Sequence, residues 1–348
     1  MQLLADNLLH PALPESAFRV VRQETAAALE GEMQSPEYIT GRALSAGLYP
    51  KGDPVLREAK PDTVRSLKLA DVKSYYNLVC RPDLTTIVVI GNVTTEEAKA
   101  AVEKYFGGWR AQGRCPETAL PSVPLNTPSA TTIPDEDRIQ AEVTLAETLG
   151  ITRVHPDYYA LELGCHVLGG AFYASRLDRD LREHGGLVYS VDLDFTASRT
   201  RSSLEVAYDC ATASAAEARS IVQRDLREMQ HQLVTASELK QACALLVRRI
   251  PVLRSSVEGV AEELLDLVDE DLPLDEPQKA AERYAGISAE EVRAAFEAWV
   301  RPKDLVEVTL GPSPEPASDT EGAVRAALWT GSHPLGLRSS GTGYLGRA

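Results

Sequence analysis

The sequence is short of positive charge. Its 36 Lys and Arg stand against 51 Asp and Glu, a formal net charge of −15 at pH 7. Phosphate binding needs clustered cations, so this balance argues against a nucleic-acid or anionic-membrane partner. Cysteine is scarce as well. Cys80, Cys115, Cys165, Cys210 and Cys243 are odd in number, widely spaced and contain no CxxC pair. That pattern excludes a disulfide frame or thiolate metal site and leaves free thiols. No apolar run is long enough for a membrane span, and no leader with a basic start and an apolar core is visible. Met1 leads straight into QLLADNLLH, an amphipathic helix already in progress, which makes the cytoplasm the default compartment.

What is present is ordinary globular composition, 44% hydrophobic and 25% charged over 348 residues, enough for two domains that each bury a core. Leu3, Leu4, Leu8 and Leu9 form a helical stripe closed by Pro11 and Pro14. A long helix is expected from Glu15 to about Met33, with Phe18, Val21, Ala28 and Leu29 on or near its buried face. Pro36 sits in the first turn of the next helix. After a loop at Lys51–Lys60, a helix over Leu67–Cys80 stops at Arg81-Pro82, and Leu84–Ile90 is a β-rich run ending at Gly91. Thr94 or Thr95 caps a helix to Phe106. From Ala111 to Asp135, Pro116, Pro121, Pro124, Pro128 and Pro134 fall without period, which reads as a linker. Beyond it come a strand at Ile139–Leu145, a helix from about Pro156 to Leu168, and strands at Leu187–Ala197 and Ser203–Cys210. Helices are expected near 213–233, 235–249, 256–268, 275–285 and 288–299, and a last strand at Leu305–Leu310. The Pro- and Gly/Ser-rich tail, 312–348, is expected to be disordered.

A repeat runs through this layout. Leu67/Ile287, Val72/Val292, Tyr76/Phe296, Arg81/Arg301, Pro82/Pro302 and Gly91/Gly311 share one offset, 302 − 82 = 220. Each copy is a helix, an Arg-Pro stop, a β-run and a glycine, the mark of a duplicated unit. The second unit starts near residue 136, and 136 − 220 = −84. The first is therefore expected to lack roughly its first 85 residues, the counterpart of 136–220, leaving an open sheet edge and an uncovered helical face.

Leu168 to Val191 reads LGGAFYASRLDRDLREHGGLVYSV: a helix end at Gly169-Gly170, a basic-acidic amphipathic run, then a Tyr-led strand. It resembles a second-domain segment of the insulinase/pitrilysin family of zinc metallopeptidases, usually LGGGFxSRLxxxLREKRGLxYSV. Over about 1–311 that resemblance implies an α+β fold: two repeated α/β sandwich domains of the metallopeptidase/mitochondrial processing peptidase type. The domains would be an incomplete first one (1–110), the Pro-rich linker (111–135) and a second one (136–311). In the family the first domain carries H-x-x-E-H, with two His zinc ligands and a Glu base, and a distal Glu as a further ligand. Here His10, His155, His166, His184, His231 and His333 include no pair at i, i+4. Counting back from Ser35-Pro36 places the distal ligand at Ala28, with Glu24, Glu30 and Glu32 nearby. No metal ligand and no cofactor are therefore assigned to this chain, and zinc is expected in a partner half.

The family's substrate-binding Arg and Tyr, seven residues apart, map onto Arg182 and Tyr189 (189 − 182 = 7). A guanidinium and a phenol can donate hydrogen bonds to an oxyanion at a scissile carbonyl. The alternative is structural, with Arg182 capping a helix through an ion pair and Tyr189 as half-buried strand filler. Gly185 departs from the family's usual polar residue. The resemblance implies a non-catalytic partner or fragment that holds an extended peptide for a zinc-bearing homologous half, inactive alone. The alternatives are a scaffold subunit, as in respiratory complexes, and a truncated gene product. Bacterial relatives are often periplasmic, which keeps that compartment open for a longer parent protein. Other features read blandly: Gly169-Gly170 as a helix C-cap, His166 as a core or capping residue, Glu183-His184 as diverging neighbours. Glu262, Glu263, Asp266, Asp269, Glu270 and Asp271 read as a solvated face.

Overall fold

The computed structural model describes residues 1–170 and 175–312. The tail expectation therefore lies outside the described residues, apart from Pro312 itself. Helices come first. α1 (Gln2–Leu9) and α2 (Glu15–Glu32) are followed by α3 (Pro36–Leu48), whose start is set by Ser35 Oγ accepting the Tyr38 N–H at 3.1 Å and by Pro36 in its first turn. α4 (Pro61–Ser66) and α5 (Leu69–Val79) precede α6 (Thr95–Phe106), which opens with a Thr94/Glu97 capping box. The buried position on α2 is Ala26. Val21 is 58% exposed and Ala28 is exposed too, because α4 covers only part of that helix.

Leu84–Ile90 is not a strand. After a 3₁₀ turn at Pro82–Leu84, the residues from Thr85 to Ile90 enter no helix or sheet. β-propensity supplies the pattern, but a strand needs a neighbour for its N–H and C=O groups, and none is present among the described residues. Within the stretch read as linker, β1 (Ser129–Pro134) is a strand, because β5 (Val306–Gly311) offers it a parallel partner from Ser129↔Val306 to Pro134↔Gly311.

The sheet has the order β1-β5-β2-β4-β3, with β2 (Ala141–Leu149), β3 (Val188–Ala197) and β4 (Ser202–Cys210) all antiparallel to their neighbours. Period two divides it into faces. One face presents Val143, Leu145, Leu204 and Val206 to the main core. There α7 (Tyr158–Cys165), α8 (Ala215–His231), α9 (Ala236–Leu253), α11 (Glu276–Gly286) and α12 (Ala289–Trp299) contribute Leu161, Val222, Leu246, Tyr284 and Phe296. α10 (Val257–Asp269) lies beyond α9. The other face is covered by α3 over β1, β5 and β2, with Leu48 against Ala146, Val306 and Val308. Among the described residues no helix packs on its β4–β3 end to a comparable extent.

The acidic run on and after α10 is only partly a solvated face. Glu263 accepts from Arg254 Nε at 2.9 Å, and Asp271 lies 3.5 Å from Arg199. All five cysteines are free.

Candidate functional site

The site is built on two irregular turns and one strand. α7 runs on into a π-helical turn at His166–Gly170. Gly169 and Gly170 are therefore not a simple C-cap; close approach explains them. A Cβ on Gly169 would lie 2.4 Å from Leu193 Cβ, and one on Gly170 2.9 Å from the His166 ring. A bulkier residue at Gly169 would push β3 away. A second π-helical turn, Asp178–His184, carries Arg182. Leu177 and Leu181, fully buried, hold its inner side to the core. The turn ends where Leu187 N–H donates to Leu181 O at 2.9 Å across Gly186, whose φ of +59° suits glycine. At Gly185, where the family has a polar residue, a Cβ would meet Asp180 O at 2.8 Å.

A second anchor ties this segment to α9. Arg176, 7% exposed, donates to both oxygens of Glu238 at 2.8 and 3.0 Å. Burial alone would raise the Glu238 carboxyl. The Arg176 guanidinium and the Thr235 N–H and hydroxyl outweigh it and bring it down to about 2.

The turn and β3 bring Arg182 and Tyr189 together. The register of β3 on β4 shifts between Val188 and Val191, a bulge that turns Tyr189 outward. Tyr189 is 82% exposed, and the Arg182 guanidinium carbon stands 5.9 Å from its ring centroid. That is cation–π range, worth about 0.5–1 kcal/mol at an exposed site. Tyr189 is thus not half-buried filler. Arg182 Nη1 also lies 3.5 Å from Asp178 Oδ1. The pair borders a cavity of about 200 Å³ that Gly169, Asp178 and Asp192 also line. An exposed phenol and a guanidinium at such a mouth can donate to a carbonyl oxygen laid over them.

The described residues do not fit a zinc centre. Among the described residues no group of three or more His, Cys, Asp or Glu is placed to hold a metal ion. Ala28 offers no ligand atom, and Glu30 is 2.5 Å from Arg65. His166 is half-buried, and burial lowers its pKa; His184 lies 3.7 Å from Asp180.

With the geometry in place, comparison with known proteins identifies its setting. Residues 66–246 match the family described as the peptidase M16 inactive domain. The chain belongs to the peptidase M16 family. The uncharacterized zinc protease YmxG of Bacillus subtilis is 27% identical over 246 residues, 70% of this chain and 58% of that protein. The probable inactive metalloprotease YmfF of the same organism is 23% identical over 283 residues, 76% of this chain and 62% of that protein. The chain thus spans less than two thirds of either M16 relative. In fold it is similar to the crystal structure of a peptidase M16 inactive domain from Pseudomonas fluorescens. That match has a TM-score of 0.79 and 22% identity, covering 90% of this chain and 74% of that one.

One polar knot was invisible in the sequence. Glu147, fully buried at the end of β2, accepts the Arg301 N–H at 3.0 Å, and burial pushes its carboxyl up to about 7. The Arg301 guanidinium donates to Asn126 O, Asn126 Oδ1, Thr148 O and Asp304 Oδ2 at 2.8–3.1 Å. It fastens the Pro-rich segment to the sheet. The repeated Arg-Pro was the only sequence signal for it.

Proposed function

We propose that this chain is the non-catalytic, Arg/Tyr-bearing part of an M16 peptidase. In this reading it holds an extended peptide and presents Arg182 and Tyr189 to a zinc-bearing homologous half, on the same or another polypeptide. The observation that carries the reading is the position of the pair: Tyr189 exposed and stacked under Arg182, on β3, which ends the sheet order and has one edge without a strand partner among the described residues. A free edge can accept a peptide as an added strand, and the pair then lies beside its backbone. Support for a missing half comes from residues 1–110. Val20, Val21, Ile87, Val89 and Ile90 are 37–58% exposed, and Phe18, Val21, Val64, Leu67 and Val72 line an apolar groove of about 380 Å³. Apolar surface on this scale marks an interaction face.

The test is metal content and turnover. The purified chain is loaded with zinc, then assayed on a quenched peptide with and without an H-x-x-E-H half. No stoichiometric metal and no turnover alone are expected, with cleavage once the half is added. Arg182→Ala and Tyr189→Phe should each lower that cleavage by roughly 100-fold, the usual loss for one oxyanion donor. Stoichiometric zinc with turnover by the chain alone overturns the reading. Silence in both arms favours a scaffold subunit.

A further inference from the structure

The cavity beside Arg182 and Tyr189 is acidic, and one of its carboxylate oxygens lacks a donor among the described residues. Asp178 is 6% exposed, lines the cavity, and its Oδ2 has no hydrogen-bond partner among the described residues. A buried carboxylate oxygen left in this state is unfavourable and marks a place where a donor is wanted. Asp192 lines the same cavity from β3. Two residues on, Asp194 shares the face of Asp192 and stands in register with Glu205 of β4, whose carboxyl is raised by burial and by Asp194. Asp192, Asp194 and Glu205 form no ion pair among the described residues, and the main sheet contacts of α3 are with β1, β5 and β2.

Few cations answer them. Arg182 lies over Tyr189 and beside Asp178. Arg201, at the start of β4, is held by both oxygens of Asp53 at 2.9 and 3.0 Å. Among these described residues, the carboxylates of Asp178, Asp192, Asp194 and Glu205 stand against the guanidinium of Arg182.

We infer that this face selects an extended peptide carrying two basic residues at i and i+2. One Lys or Arg side chain would enter the cavity toward Asp178 and Asp192, and the next would lie over Asp194 and Glu205. The spacing follows from strand geometry: in a peptide added to β3, alternate side chains share a face, about 6.6–7 Å apart, as Asp192 and Asp194 do. The ammonium or guanidinium supplies the donors that Asp178 Oδ2 lacks. The inference rests on the peptide-holding reading above and adds the chemistry of what is held.

The test uses the full chain alone and fluorescently labelled peptides, with binding read by anisotropy. Three peptides share one neutral, β-prone background and differ only at two alternate positions, as Lys-x-Lys, Gln-x-Gln or Glu-x-Glu. Lys-x-Lys is expected to bind roughly tenfold tighter than Gln-x-Gln at low salt, with the gap narrowing as salt rises. Asp178→Asn and Asp194→Asn, each checked for an unchanged melting temperature, should bring that ratio toward one. Asp62→Asn, which removes an exposed charge far from the sheet face, should leave it in place. Equal binding of Lys-x-Lys and Gln-x-Gln overturns the basic-peptide inference while peptide holding stands. Failure of all three peptides to bind overturns both. A preference that survives Asp178→Asn and Asp194→Asn also overturns the assignment to this face.

Discussion

Leu84–Gly91 reads LTTIVVIG and Asp304–Gly311 reads DLVEVTLG; each follows Arg-Pro at the same offset. In the later copy Val306–Gly311 forms β5, paired on both sides by β1 and β2, and Val306, Val308 and Leu310 are at most 1% exposed. In the earlier copy the backbone has no sheet partner among the described residues, and Ile87, Val89 and Ile90 are 37–40% exposed. The glycines that end both copies have nearly the same φ, +153° at Gly91 and +156° at Gly311. A Cβ on Gly311 would lie 2.8 Å from Ala141 Cα, whereas nothing lies within 4 Å of one on Gly91. Local chain direction is thus encoded twice. Whether it becomes a strand depends on a neighbour.

The two arginines extend the comparison. Arg301 is tied to Glu147, Asn126, Thr148 and Asp304 within the core. Arg81, 3% exposed, donates instead to Gln112 O, Gly113 O and Arg114 O at 3.0–3.2 Å and pairs with Asp83. Each staples the chain that crosses it, but only the Arg301 guanidinium also stands beside a buried carboxylate, its Nε 3.5 Å from Glu147 Oε2. Arg301→Ala should therefore destabilise the protein by about 3–5 kcal/mol, because Asn126, Thr148 and Asp304 lose their donors and buried Glu147 the cation beside it. Arg81→Ala should lower stability by only about 1–2 kcal/mol, since the freed carbonyls can meet water. Urea denaturation of both variants checks this, and equal losses would break the contrast.

A smaller effect separates the β-runs themselves. Leu310→Ala should lower stability by about 2–5 kcal/mol, the range for emptying a packed core position. Ile90→Ala, where the side chain is 37% exposed, should lie within about 0.5–1 kcal/mol of the parent. Amide exchange sharpens the same point. Protons at 86–90 should exchange with little protection, and those at 306–310 only with global or large-scale opening. The glycines differ by less again. Both alanine variants carry backbone strain, but Gly311→Ala also drives a Cβ into β2, adding about 1–3 kcal/mol over Gly91→Ala.

The gentlest test is pH. Glu147, raised to about 7, binds its proton more tightly folded than unfolded. Its contribution is fully present below the ordinary carboxylate range and is lost as pH rises from there through about 7. Glu238, lowered to about 2, runs the other way: its contribution is present above the ordinary range and is lost as pH falls toward 2. Melting temperature across pH should show both limbs. Glu147→Gln should flatten the decline toward neutral pH, and Glu238→Gln the decline in acid.

Much of the fold was legible because it depends on neighbours in sequence. Ser35, Thr94, Thr235 and Ser288 each accept an N–H three residues on and start their helices where side chain and backbone meet locally. The helices after β4, and β3 and β4 themselves, lie within a few residues of where periodicity puts them. The spacing of Arg182 and Tyr189 was legible too, as a likeness to a family segment. Less legible was what surrounds them. The bulge after Val188, the unpartnered oxygen of Asp178 and the acidic face of Asp194 with Glu205 depend on strand register, which joins residues far apart in the chain.

The sequence by itself determined the helix starts and stops, the duplicated Arg-Pro and glycine, and the absence of a histidine pair at helical spacing, because each follows from side chains within a few residues of one another. Tertiary structure alone decided that residues 129–134 pair with β5 and that 84–90 find no sheet partner among the described residues. It also decided that Ala26 and not Val21 is buried, and that Glu147 holds Arg301 in the core. Propensity can prepare a backbone for a sheet or a side chain for burial, but hydrogen bonds and excluded water need a second surface, and only the folded chain supplies or withholds it.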